Sequence, residues 1–156
     1  MLKWLTSMFS GPKPAGPPQL LRAFAPGTRT ITQGIIRAEQ GAWRIDVNEG
    51  QTIRLFEVEN PDVEQCLLTY RAELKPEGLK GRSFFEMWCR LPGRGEFFSK
   101  GYQQAVSGTA DWARYEIQFY LKRGQRPDLI KLNIVVEGVG TVWLRNIELH
   151  KTPLAS

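Results

Sequence analysis

An all-β fold, two antiparallel sheets packed as a sandwich, is what this sequence predicts, and three observations lead there. Beyond residue 28 no long stretch repeats its apolar residues every 3.6 positions, whereas several segments alternate apolar and polar residues with a period of two. Turn signals rich in Gly, Pro, Asn and Asp separate those segments. Composition agrees: 156 residues, 42% hydrophobic and 24% charged, suit one soluble domain with its own core.

Taken in order, the first element is not a strand. Gly11, Pro12, Pro14, Gly16, Pro17, Pro18, Pro26 and Gly27 interrupt any regular structure, so residues 1–27 are expected to be a flexible Pro/Gly-rich segment and 28–152 the β-sandwich domain. Met1 to Ser10 carries one positive charge and a few apolar residues, without the sustained apolar run of a signal peptide, so the sequence assigns no compartment. No stretch approaches the roughly 20 apolar residues of a transmembrane helix.

Something near 28–38 should complete a sheet, followed by short strands at 42–47 and 52–58. The clearest alternation begins at 65–75, with Cys66, Leu68, Tyr70, Ala72 and Leu74 on the core side. Pro76-Glu77-Gly78 should turn the chain into a strand over 83–91, placing Phe85, Met87, Cys89 and Leu91 inward and Phe84, Glu86, Trp88 and Arg90 outward. After Pro92-Gly93-Arg94-Gly95 comes a segment with adjacent aromatics, Phe97 and Phe98, which reads either as a binding loop or as an edge strand folded back.

Strand 112–121 directs Tyr115, Ile117, Phe119 and Leu121 inward, leaving Gln118 and Tyr120 outside. Strand 129–137 has the cleanest alternation, with Ile130, Leu132, Ile134 and Val136 inward. Gly138-Val139-Gly140 should be a tight turn into 141–150. There Val142 and Leu144 fall out of phase with Ile147 and Leu149, which predicts a bulge at Arg145-Asn146.

Three of these segments carry a family resemblance. Leu67-Leu68-Thr69-Tyr70-Arg71-Ala72-Glu73-Leu74-Lys75, Asp111-Trp112-Ala113-Arg114-Tyr115-Glu116-Ile117 and Gly140-Thr141-Val142-Trp143-Leu144-Arg145-Asn146-Ile147-Glu148-Leu149 together resemble the jelly-roll carbohydrate-binding modules attached to xylanases and cellulases, in the galactose-binding-like group. The resemblance implies a jelly-roll β-sandwich, no enzymatic activity, and a ligand held on a concave face or at edge loops. It also implies a structural calcium at the bulge of the final strand. Arg145 and Asn146 stand where that family carries acids, and an Arg is a poor neighbour for a cation.

The residues themselves point to binding, not catalysis. Trp88 with Glu86 and Arg90 offers an indole for stacking beside charges for hydrogen bonding, and Gln118, Tyr120 and Trp143 extend the platform if their strands share its sheet. The same Trp could equally be covered by a loop. Trp112, at a strand start, reads as a structural plug. The expected partner is a carbohydrate or another protein, with no cofactor.

Nucleic acid is not expected, because the net charge of +5 is spread among interleaved acids. The single His, His150, accompanies no nucleophile or phosphate-binding motif, and the outward acids all have basic or amide neighbours that keep them ionised. Cys66 and Cys89, too few for a disulfide framework or a zinc site, are expected as buried thiols.

Overall fold

The computed structural model describes residues 13–155. The readings of Met1 to Ser10 and of Gly11 and Pro12 lie outside the described residues. Among the described residues nine strands form: β1 Gln19–Phe24, β2 Ile36–Glu39, β3 Ala42–Val47, β4 Gln51–Glu59, β5 Cys66–Leu91, β6 Gly95–Lys100, β7 Val106–Gly108, β8 Ala113–Leu121 and β9 Leu129–Pro153. One short 3-10 turn, Tyr102–Gln104, joins β6 to β7. No helix among the described residues is long and apolar enough to cross a membrane.

Every pairing is antiparallel, and hydrogen bonds link all nine strands. Two strands are unusually long, and they make the sandwich. β5 and β9 run side by side for their whole length, from the pair Cys66 with Pro153 to the pair Arg90 with Leu129. Halfway along, both bend. Residues 66–75 of β5 and 141–153 of β9 lie with β8, β3, β1 and β2 in one layer, while 82–91 and 129–137 lie with β4 and β6 in the other.

The two layers face each other across one core. Tyr70 of the first layer stacks on Phe85 of the second at 4.8 Å, and its hydroxyl donates to the Asn133 carbonyl at 3.1 Å. Around that contact Ile45, Ile53, Leu55, Leu68, Met87, Leu132, Ile134 and Leu144 are fully enclosed. The alternation read for 65–75, 83–91, 112–121 and 129–137 therefore holds. So does the bulge, since Ala72 alone stands opposite the two residues between Arg145 and Glu148, with Asn146 at φ 55°.

The structure corrects two expected turns. Neither Pro76-Glu77-Gly78 nor Gly138-Val139-Gly140 reverses the chain; they are opposing corners at which β5 and β9 cross from one layer to the other. Glycine and proline signal a departure from flat strand geometry, and here the departure is a bend. The boundary at residue 28 is corrected as well. Gln19–Phe24 pairs with 147–151 of β9, and Phe24 stacks on Phe56 at 4.1 Å, so the sheet begins inside the segment read as flexible.

At the bulge Glu73 accepts hydrogen bonds from the Asn146 side-chain amide and from the Arg145 guanidinium, the latter at 3.1 Å, and these donors hold its carboxyl below the ordinary glutamate range. A carboxyl depressed by folding contributes stability above its unfolded pKa and loses it as pH falls through its folded value. Chemical denaturation from pH 7 down to pH 3 should therefore show an acid limb that is shallower in Glu73→Gln. An identical limb would remove Glu73 from the account.

Cys66 and Cys89 are free and buried, as expected. Burial pushes the Cys66 thiol up to about 11 and the Cys89 thiol up to about 12. Both should stay protonated at pH 8 and resist a thiol-specific reagent until urea unfolds the chain. Rapid labelling of the native protein would contradict this burial.

Candidate functional site

The outer surface of the β4–β9–β5–β6 layer gathers the side chains most suited to binding. Because strand residues alternate, the positions between the core residues of 82–91 and 129–137 all project to this one surface. Pairing then sorts them into rows. Arg54, Asn133, Glu86 and Lys100 lie across the four strands in one row; Glu57, Lys131, Trp88 and Phe98 form the next. Thr52, Val135 and Phe84 flank the first row, and Glu59, Leu129, Arg90 and Glu96 flank the second.

The middle of this surface is polar and yet poorly hydrated. Glu86 is only 4% exposed and Asn133 6%. The Asn133 side-chain amide donates to Glu86 Oε1 at 2.8 Å, and Lys100 Nζ lies 3.5 Å from Glu86 Oε2. That ammonium also sits over the Phe98 ring at 4.5 Å and the Trp88 ring at 5.8 Å. Trp88 and Phe98 meet at 5.1 Å with planes tilted by 56°. Cation and rings thus fix one another, which pre-organises the aromatic pair.

A second aromatic point lies along the strand from the first. Phe84, expected outward, is 3% exposed because the Tyr102 ring covers it at 4.8 Å, with the Arg82 guanidinium 5.3 Å from the Tyr102 ring. Trp88 and Phe84 are four residues apart on β5, about 13 Å at the usual strand rise. The polar row of Glu86 lies between them.

Charge on this surface is compensated cation by cation. Arg54 pairs with Glu57 at 2.7 Å, Lys131 with Glu96 at 2.7 Å, Arg90 with Asp128 at 2.8 Å, Arg82 with Glu137 at 2.5 Å, and Lys100 with Glu86. Arg90 hydrogen-bonds to Asp128 and holds its carboxyl below the usual aspartate range. Arg90 is therefore turned toward Asp128, and the partner of Glu86 is Lys100.

The sequence-derived set divides between two surfaces. Trp88, Glu86 and Arg90 stand together here. Gln118, Tyr120 and Trp143 belong to the outer positions of the other layer, where Gln118 and Tyr120 stand on β8 opposite Thr69 and Leu67, Gln118 at the rim beside Lys100 and Tyr102. Trp143 is 8% exposed; its indole donates to Glu77 Oε2 at 2.8 Å, and Arg44 lies over its ring. Trp88, Tyr120 and Trp143 do not line one groove.

Sequence reasoning missed Asn133, Lys100, Phe98 and Tyr102 as companions of Trp88. Asn133 was legible as an outward residue, but its partnership with Glu86 depends on which strands are neighbours. Phe98 and Lys100 needed the register of β6, which the Pro92-Gly93-Arg94-Gly95 hairpin sets.

The bulge of β9 does not suit a calcium ion. Arg145 and Asn146 both direct donors at Glu73, and Arg145 also lies 4.1 Å over Trp112, so a fixed guanidinium takes the carboxylate that a cation would need. Among the described residues no three His, Cys, Asp or Glu side chains form a metal-holding group.

No protein-family model matches the chain, and no curated protein resembles it in sequence. Solved structures do resemble it in shape. The xylan-binding domain CBM22-1 of Xyn10C from Paenibacillus barcinonensis superposes with a TM-score of 0.58 at 11% identity, covering 94% of this chain and 100% of that one. A mutant of a family 29 carbohydrate-binding module gives 0.53 at 16% identity over 88% and 92%, and a family 4 module gives 0.53 at 9% over 83% and 78%. At such identities the likeness shows the fold: the chain has the jelly-roll β-sandwich of carbohydrate-binding modules.

Proposed function

We propose that this chain is a non-catalytic carbohydrate-binding module that lays a neutral glycan across the outer surface of the β4–β9–β5–β6 layer. One observation carries the reading: a pre-set Trp88–Phe98 pair adjoins a nearly buried Glu86–Asn133–Lys100 row, with Tyr102 beyond it. Sugar rings present an apolar C–H face and a hydroxylated rim. The aromatic pair suits the face; the carboxylate, amide and ammonium suit the rim.

Full charge pairing favours a neutral glycan, because an acidic one would have to break ion pairs to find a cation. The likeness in fold to a xylan-binding domain and to other carbohydrate-binding modules supports the class of ligand. Affinity electrophoresis against xylan, glucomannan, mixed-linkage β-glucan and polygalacturonate tests it. Retardation by at least one neutral polysaccharide, weaker than elsewhere in polygalacturonate, is expected; migration unchanged in every gel would end the proposal.

The competing reading, an assembly domain, draws on Phe97 and Phe98, 44% and 52% exposed on the edge strand β6. Sedimentation at increasing protein concentration distinguishes it. A rising mass would favour that reading, and a constant monomer the glycan surface.

A further inference from the structure

Beside the aromatic surface, at the rim where the two layers meet, lies an open groove of about 450 Å³ lined by residues 99–104 and 116–118. β6 and β8 are the partners of β5 in their respective layers, on the side away from β9, and the groove fills the step between them. Its floor is shaped by Gly101. The Gly101 amide donates to the Phe85 carbonyl at 2.9 Å, and a Cβ there would come within 2.9 Å of the Ile117 side chain.

We propose that this groove is a second subsite of the same binding surface, taking a neutral, hydroxyl-rich side branch of the glycan; the inference rests on the reading of the Trp88 surface as a glycan site. Two residues join the places. Lys100 lines the groove while its ammonium faces Glu86 and the aromatic pair, and Tyr102 lines it while its ring covers Phe84. A branch leaving the main chain near the Glu86 row meets the groove directly.

The lining is suited to hydroxyl groups. Ser99, Gln103, Gln104, Gln118 and Glu116 supply donors and acceptors, whereas the one cation of the lining, Lys100, is directed at Glu86. Gln104 is partly committed, since its Oε1 accepts from the Glu116 backbone amide at 3.3 Å and so holds the turn against β8. Gln103, on the turn that follows β6, and Gln118, on β8, are both exposed. They are the side chains placed to grip a branch.

The test compares linear and branched ligands by calorimetry on the full chain and on Gln103→Ala/Gln118→Ala, whose melting temperature is recorded alongside. The linear probes are cellotetraose, xylotetraose and mannotetraose; the branched ones are the matching oligosaccharides from xyloglucan, arabinoxylan and galactomannan. On the backbone that binds, the branched form should bind about tenfold tighter than the linear form, as two neutral hydrogen bonds would give, and the double variant should erase that gain. Affinity for the linear form should stay unchanged in the variant. Equal affinity of both forms for the native chain, or a parallel loss of both in the variant, would overturn the subsite and leave the Trp88 surface standing. Failure of every linear and branched probe would instead remove the glycan reading itself.

Discussion

Trp88→Ala should weaken binding of a neutral polysaccharide by about 30-fold or more while leaving the chain folded. The magnitude follows from truncating an aromatic anchor at a pre-organised contact, typically about 2 kcal/mol or above. Trp88 is partly exposed, paired with Phe98 and held from one side by Lys100, so its removal empties a surface position and opens no deep cavity. Its structural cost should stay within about 1–2 kcal/mol.

The matching control is Trp143→Ala. That indole is almost fully enclosed and hydrogen-bonded to Glu77 on the opposite face. Its loss should lower stability and leave the affinity of the folded protein intact. Retardation in a polysaccharide gel and urea denaturation, run on both variants, separate the two roles. If Trp88→Ala binds as the native chain does, or if Trp143→Ala alone loses binding, the surface has been misplaced.

The contrast between the two tryptophans also shows what a sequence reveals. Alternation assigns each residue to one side of its strand, and it did so correctly for nearly every core position from Cys66 to Leu149. It says nothing about which strands share a layer. Trp88 and Trp143 are both outward by that rule, and only the pairing of β5 with β9 puts them on opposite faces of the sandwich.

Long-range pairing also explains β1. Gln19–Phe24 buries only Leu21 and Phe24 in part, too weak a pattern to announce a strand among prolines, yet the free edge of β9 accepts it. Conversely, the bulge at Arg145-Asn146 was legible because it changes the phase of apolar residues within a single segment. Local periodicity fixes local geometry; the binding surface arises from register between segments far apart in sequence.

The largest loss of stability is expected at the corners, because there the two longest strands approach too closely for any side chain. Gly138→Ala should abolish the native fold or cost more than about 4 kcal/mol, by strain together with backbone displacement. Gly138 and Gly81 are paired across β5 and β9, and a Cβ on Gly138 would lie 1.7 Å from the Lys80 carbonyl oxygen. On Gly81 it would lie 1.9 Å from the Glu137 carbonyl oxygen. Those contacts are with backbone, which cannot rotate aside as a long side chain would. Gly138 also sits at φ 151°, outside the range an alanine readily adopts.

Gly124→Ala gives the comparison of a positive φ with no crowding. Gly124 has φ 82° with nothing within 4 Å of the added methyl, so its substitution should cost only about 1–2 kcal/mol. Urea denaturation of both variants, with soluble yield recorded, measures the difference. Equal and small losses would mean that the corner yields, and that β5 and β9 need no side-chain-free crossing to pass from one layer to the other. A large loss confined to Gly138 would tie the two-layer architecture, and with it the surface that carries Trp88, to the hydrogen atoms that stand in place of side chains at this crossing.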